Sequence, residues 1–208
     1  LHILSHLKKT DGVAGFLLAN GALNDSDTLE IRKELIQNDK IEAIVVLPRE
    51  LFITTDISVT LWILNQNKKG GKYHGRNLRN REHEILFMDL RQWTENAVKG
   101  ESKKKVRLDT EQIEKAADIY HIWQCEGTDG AAYEMPELYR SVCINEIESK
   151  GWALTPSKYI EFIDHDLDID YEKEMVRIQS EMKDILKQEN KSQQMLEAAF
   201  RGIGYGID

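Results

Sequence analysis

The chain has 208 residues, which is enough for one good-sized domain or two small ones. Its 36 acidic and 28 basic side chains give a net charge of −8, and this excess of acids argues against strong non-specific DNA binding, which requires cations that neutralise phosphates. No apolar run approaches the length of a membrane span and the first residues lack a secretory signal pattern, so we expect a cytoplasmic protein without a membrane partner.

The first elements along the chain have a strand–helix–strand pattern. Residues 1–9 have the apolar spacing of a helix end, and because the chain starts inside this pattern without a methionine, we expect it to be part of a longer protein. Val13–Ala19 is a compact apolar run that predicts a strand. A helix is predicted from Asp27, where Asp27-x-x-Glu30 matches a capping box, and residues 41–47 predict a strand buried on both faces. This order predicts parallel strands with a right-handed crossover.

Residues 48–58 form the loop on which the functional argument depends. The loop is too short for a parallel crossover, so the apolar run 59–64 should be an antiparallel strand. It follows the carboxyl end of a buried strand, where open α/β sheets place their ligand sites. Phe52 is therefore a candidate ligand-site residue, together with Thr54 and Thr55. The alternative is that Phe52 is one more core aromatic, since aromatic side chains dominate core burial.

A basic segment follows the predicted antiparallel strand. Between residues 68 and 81 there are six cations and no acidic residue: Lys68, Lys69, Lys72, Arg76, Arg79 and Arg81. Such a segment could follow a phosphate backbone, or it could be a solvated surface insertion, and the sequence leaves both interpretations open.

The second half of the chain is mostly helical in pattern. After a predicted strand at residues 85–90, a helix is predicted for residues 110–124 with an Asp109-x-x-Gln112 cap, and its predicted apolar face includes Ile113. From Tyr171 onwards apolar residues alternate four and three positions apart; they include Met175, Ile178, Met182 and Ile185. This heptad spacing predicts either a seam against another helix, as in subunit docking, or an amphipathic helix that packs on its own domain.

Several motifs fail their structural requirements, and no metal site is predicted. Asp164-x-Asp166-x-Asp168 lacks the glycine and the bidentate glutamate of a calcium loop, because Ile169 and Met175 occupy those positions. His83-Glu84 has no second histidine at zinc-site spacing. His121 is interpreted as a packed structural histidine.

Seven short blocks of this sequence occur together in one known family. They are residues 15–23 (GFLLANGAL), 30–36 (EIRKELI), 47–52 (LPRELF), 54–65 (TTDISVTLWILN), 120–123 (YHIW), 154–159 (LTPSKY) and 202–206 (GIGYG). In these blocks the chain resembles the M (modification) subunit of type I restriction-modification systems, which are S-adenosylmethionine-dependent adenine-N6 DNA methyltransferases. Asp56 and Ser58 stand where the family usually has glycine and proline, and Asn20 where it usually has proline.

The resemblance implies a fold and a division of labour. It implies the carboxyl-terminal part of a Rossmann-like methyltransferase sheet in residues 1–98, with the 59–64 strand inserted between the other two, followed by a mostly helical region in residues 99–208. The catalytic Asn-Pro-Pro-aromatic motif and the glycine-rich cofactor loop of the family are absent from this sequence. No catalytic residue is therefore predicted, and the chain alone should neither bind S-adenosylmethionine well nor methylate DNA.

The resemblance also implies site residues and partners. Phe52 would stack on the target adenine after it leaves the duplex, with Thr54, Thr55 and Asn20 shaping the same rim. The implied partners are double-stranded DNA and the specificity and restriction subunits, with the stripe that begins at Met175 docking the specificity subunit. The alternative is a non-catalytic protein-interaction module with an α/β core.

Overall fold

The computed structural model describes residues 2–52, 56–73, 75–94, 98–99, 104–163, 170–202 and 204. The chain forms two compact units, Leu1–Ile163 and Asp164–Asp208. The helices are α1 (His2–His6), α2 (Leu29–Gln37), α3 (Thr110–Gln124), α4 (Ile144–Ser149) and α5 (Tyr171–Gly202). The strands are β1 (Val13–Ala19), β2 (Ile41–Val46), β3 (Val59–Asn65), β4 (Gly71–Tyr73), β5 (Arg76–Leu78), β6 (Glu84–Asp89), β7 (Val98–Lys99), β8 (Lys104–Lys105), β9 (Glu134–Met135) and β10 (Tyr139–Cys143).

The first unit is built on a six-stranded mixed sheet with the order β1-β3-β2-β6-β10-β9. β3 is antiparallel to both β1 and β2, so β1 and β2 run in the same direction on either side of it. This is the arrangement that the sequence predicted, and the mixed α/β fold class is confirmed. β2 is buried at all six positions, as expected for a strand covered on both faces.

Each face of the sheet packs against its own helical layer. One core contains Ile36 of α2 and Ile147 of α4, together with side chains from the sheet such as Ile44. The other core contains Ile119 and Trp123 of α3 against Ala43 and Val45 of β2. Because neighbouring residues of β2 point to opposite faces, this one strand contributes to both cores.

Two local predictions about helices need correction. α2 begins at Leu29 rather than near Asp27, and Thr28 precedes it without a side-chain cap. The reason is that Ser26–Thr28 form a 3-10 turn that leads directly into α2, and the Thr28 hydroxyl accepts a hydrogen bond of 2.5 Å from Arg32 Nη1. α3 has the predicted capping box between Asp109 and Gln112, but Ile113 of its predicted apolar face is exposed.

The division of the chain differs from the predicted boundary at residue 98. β10 pairs with β6 in the main sheet, so residues beyond 98 belong to the same compact unit as β1–β6. The short strand β10 contains no long apolar run, so the sequence pattern did not predict a strand in this mostly helical region.

The second unit contains the long helix α5, and within its described residues no side chain is buried. The described helices of both units include none with the length and apolar character needed to cross a membrane.

Candidate functional site

The loop after β2 lies at the carboxyl-end edge of the sheet. Phe52 is half-buried in this loop, neither sealed in the core nor fully exposed. The base of the loop is fixed, because Leu47 N donates to the Val59 carbonyl at 2.9 Å and Ser58 Oγ donates to the Leu47 carbonyl at 2.5 Å. The half-buried Phe52 therefore follows a fixed loop base at the carboxyl end of β2.

Asn20 lies at the same edge, directly after β1. Its side-chain oxygen accepts a hydrogen bond of 2.6 Å from Thr60 Oγ1, and Thr60 is fully buried in β3. The first part of β3 thus fixes the residue after β1, while the loop that contains Phe52 leads from β2 into β3. Thr54 and Thr55 lie outside the described residues, so the rim assignment of these four residues stays a prediction.

Three of the six cations that were predicted to contact nucleic acid instead form hydrogen bonds and ion pairs within the fold. The Lys68 ammonium is buried and donates to Asp39 Oδ1 at 2.6 Å and to the carbonyls of Ile41 and Glu84 at 3.0 and 2.5 Å. Burial lowers the pKa of Lys68, and the Asp39 carboxylate opposes that effect. A lysine held in this way has no donor to offer a phosphate.

Arg79 is tied to its neighbours through every part of its guanidinium. It pairs with the Glu84 carboxylate through two bonds of 3.2 and 2.7 Å, and its Nε donates to the Trp123 carbonyl at 2.7 Å. The guanidinium carbon also lies 5.2 Å from the centre of the Trp123 ring. Arg79 therefore holds the basic segment against α3.

The third of these residues, Arg81, is fully buried with Glu42 of β2. Arg81 Nε donates to Glu42 Oε1 at 2.9 Å, and Gln124 Nε2 donates to the same oxygen at 3.0 Å. Asn65 Nδ2 donates to the other Glu42 oxygen. A buried ion pair requires such additional hydrogen bonds, because desolvation of two charges otherwise exceeds their mutual attraction.

The sequence reasoning missed Glu42, although a signal was present. A single acid inside a six-residue strand that is otherwise apolar must find a buried cation or donors. The sequence alone did not show that the partner is Arg81, 39 positions further along the chain.

Of the remaining candidates, Lys69 and Lys72 are exposed and Arg76 is half-buried. Lys72 and Arg76 line a cleft of about 390 Å³ with Asn65, Tyr73, Tyr120 and Gln124. We refer to this as the hairpin cleft, because β4 and β5 form an antiparallel pair along one side of it. His121 is exposed rather than packed in the core, and its Nδ1 lies 2.6 Å from Arg76 Nη1, which corrects the structural interpretation of this histidine.

The hairpin cleft and the loop of Phe52 lie at opposite edges of the sheet. The cleft is bordered by Val13 at the start of β1 and by Asn65 at the end of the antiparallel β3, whereas Phe52 follows the end of β2. The six residues of β2 separate these edges by about 20 Å, given roughly 3.3 Å per residue. The basic segment is therefore not part of the rim around Phe52.

Other sequence features can be placed briefly. The α5 stripe of Met175, Ile178, Met182 and Ile185 is exposed within its own unit. The triplet of aspartates that resembles a calcium loop lies outside the described residues. Across the described ranges, no cluster of three or more His, Cys, Asp or Glu residues could hold a metal ion.

Comparisons with known proteins give a consistent picture. The family model described as N-6 DNA Methylase matches residues 1–168. The HindI methylase subunit of a type I restriction enzyme from Haemophilus influenzae is 29% identical, over 98% of this chain and 42% of that protein. The MjaIX methylase subunit from Methanocaldococcus jannaschii is 28% identical, over 99% of this chain and 34% of that protein. The chain thus spans less than half the length of these two relatives.

A solved structure shares the fold. The methyltransferase subunit of a type I restriction-modification system from Streptococcus thermophilus superposes with a TM-score of 0.58 at 21% identity. The superposition covers 77% of this chain and 29% of that chain. The mixed sheet described above is therefore a methyltransferase-type fold.

Lys68 and Lys69 provide a direct test of the structural role of the basic segment. Lys68→Met should lower the free energy of unfolding by about 2–4 kcal/mol, because it leaves three buried or half-buried acceptors without their donor. Lys69→Met, which removes an exposed charge, should change it by less than about 0.5 kcal/mol. Urea denaturation of both variants measures the difference, and equal effects would show that Lys68 is not a structural residue.

Proposed function

This chain belongs to the N-6 DNA methylase family, which confirms the resemblance drawn from its sequence, and on that premise we propose that it is part of the modification subunit of a type I restriction-modification system. In this role the protein transfers a methyl group from S-adenosylmethionine to adenine N6 in DNA. The observation that carries the proposal is the family match over residues 1–168, and the methyltransferase-type sheet is consistent with it.

Phe52 is proposed to hold the target base. Adenine N6 is inaccessible inside a duplex, so an enzyme that methylates it must move the base out of the stack and hold it. A half-buried aromatic on a fixed loop at the carboxyl end of β2 supplies one stacking surface. Asn20 lies at the same edge and is proposed, with Thr54 and Thr55, to shape the rim around that base.

Binding of the cofactor and transfer of the methyl group require residues that this sequence does not contain. S-adenosylmethionine is the methyl donor that the family implies, and this sequence contains no Asn-Pro-Pro-aromatic motif to accept the base edge. We expect the 208-residue chain by itself neither to bind the cofactor well nor to methylate DNA. Its contribution is the rim of the target site and the attachment of partner subunits.

The proposed partners are the specificity and restriction subunits of the same system, with double-stranded DNA as substrate. The apolar stripe of α5 supports specificity-subunit docking, because large apolar side chains repeat at heptad spacing on a helix that buries none of its described residues. Lys69, Lys72 and Arg76 remain the cations of the basic segment that can reach a phosphate. The same stripe would also serve the alternative function, a non-catalytic interaction module.

Removal of the Phe52 ring tests the target-base role. In the native protein with its specificity subunit, Phe52→Ala should slow adenine methylation by about 10- to 100-fold, because base–aromatic stacking is worth roughly 1–3 kcal/mol. Phe52→Tyr should retain most of the activity because it keeps the stacking surface. Phe162→Ala, which removes an exposed aromatic elsewhere in the same unit, is the matched control and should leave the rate unchanged. Unchanged methylation by a folded Phe52→Ala protein would remove Phe52 from the target site.

A charge placed in the α5 stripe tests subunit docking. Ile178→Glu and Met182→Glu should each weaken assembly with the specificity subunit by at least about tenfold, because a carboxylate buried at an apolar interface carries a desolvation penalty of several kcal/mol. Ser180→Glu introduces the same charge about 200° around the helix from Ile178 and should leave assembly intact. Analytical ultracentrifugation measures assembly. Normal assembly with lowered thermal stability would show instead that the stripe packs within the protein.

A further inference from the structure

The hairpin cleft has walls that the fold holds in place. On one side, the β4–β5 hairpin is attached to the end of α3, because Arg79 N donates to the Gln124 carbonyl at 2.9 Å and Glu126 N donates to the Asn77 carbonyl at 3.1 Å. The antiparallel bridge between Leu78 and Cys125 lies between these two bonds. These hydrogen bonds hold the hairpin, which forms one wall of the cleft, against the end of α3.

The floor of the cleft is fixed by the buried Glu42 carboxylate. Asn65, Gln124 and Tyr120 all line the cleft, and the amides of Asn65 and Gln124 donate hydrogen bonds to Glu42. Burial together with the neighbouring Glu42 charge raises the pKa of Tyr120 far above its usual value, so the hydroxyl stays protonated and neutral. One aromatic and two amide side chains are thus held in defined positions at the base of the cleft.

The mouth of the cleft carries two positive charges that the described residues do not neutralise. Lys72 and Arg76 form no ion pair within the described part of the chain, and the Arg76 guanidinium contacts the imidazole of His121. Asp11 also lines the cleft, but Lys8 lies 2.8 Å from it and compensates its charge. The mouth is therefore suited to an anion.

The aromatic residues define the second half of the ligand. Tyr73 is the cross-strand partner of Arg76 in the hairpin, and Tyr120 belongs to α3, so the two rings come from different walls. Aromatic side chains beside a cationic group suit a planar heterocycle that is joined to a phosphate. A volume of about 390 Å³ lies within the range of roughly 300–1,000 Å³ that is typical of small-molecule sites.

We propose that the hairpin cleft binds a single nucleotide, with the phosphate between Lys72 and Arg76 and the base against Tyr73 and Tyr120. The amides of Asn65 and Gln124 donate to Glu42 and so support the floor of the cleft beneath the ring. The nucleotide is either free in solution or one unpaired residue of a DNA strand, and both present the same phosphate and base to the cleft. The cleft lies at the other end of β2 from Phe52, so this binding does not depend on the proposed methyltransferase role.

The test is a calorimetric titration of the chain with adenosine 5′-monophosphate, adenosine, inorganic phosphate and a short single-stranded DNA oligonucleotide. The nucleotide should bind with a dissociation constant of about 1 mM or lower, and more tightly than adenosine or phosphate alone. Lys72→Gln and Arg76→Gln should each weaken its binding by about 3- to 30-fold, because each removes one charge-assisted contact at a partly exposed position. Lys158→Gln is the control, since it removes an exposed charge of the same unit that does not line the cleft.

Each outcome of the titration either supports the nucleotide site in the hairpin cleft or rules it out. If only the oligonucleotide binds and the Lys72 and Arg76 variants weaken it, the nucleotide is supplied by a DNA strand and the proposal holds. If neither the nucleotide nor the oligonucleotide binds, the proposal is overturned. It is also overturned if Lys158→Gln weakens binding as much as Lys72→Gln, because general electrostatic attraction then explains the data. Circular dichroism measures whether the variants are folded. Because Lys72 is exposed, its substitution does not disturb the contact between Arg76 and His121.

Discussion

Glu42 occupies the second position of β2 with its carboxylate fully buried, and an unpaired carboxylate there would be too costly to ionise. The fold meets this constraint by bringing Arg81, Gln124 and Asn65 to the same group. These partners come from the basic segment, from α3 and from the end of β3. One buried charge thus determines how three parts of the chain are arranged around the amino end of β2.

This arrangement gives the two edges of the sheet different chemistry. At the carboxyl-end edge, backbone bonds between Leu47 and Val59 fix a loop that presents the half-buried Phe52. At the amino-end edge, side-chain bonds to Glu42 fix a cleft with cations at its mouth. The antiparallel β3 extends between both edges, because Val59 pairs with Ala19 at the carboxyl-end edge and Asn65 lies at the amino-end edge. The proposed base-holding rim and the proposed anion-binding cleft therefore lie in one sheet without sharing residues.

The sequence predicted those parts of the fold that depend on local pattern. Val13–Ala19, the buried strand of β2, the antiparallel β3 and the capping box of α3 follow from apolar runs, loop length and short-range spacing, all of which one sequence displays. It did not predict which cations are structural, because Lys68 and Arg81 differ from Lys69 and Lys72 only in the distant residues that surround them. Glu42 was hidden within an apolar run for the same reason, and β10 joins the sheet through pairing with β6 that no local signal announces.

The claim that Glu42 and Arg81 organise the amino-end edge is tested most directly by a double-mutant cycle on the free energy of unfolding, measured by urea denaturation. Glu42→Leu and Arg81→Met should each cost about 3–5 kcal/mol, because each leaves the other charge buried without its partner. The double variant should be more stable than the sum of these losses predicts by at least about 2 kcal/mol, and a double variant that folds when neither single variant does would show the same coupling. Additive losses, equal to the sum within about 0.5 kcal/mol, would contradict the account, since the two groups would then act independently.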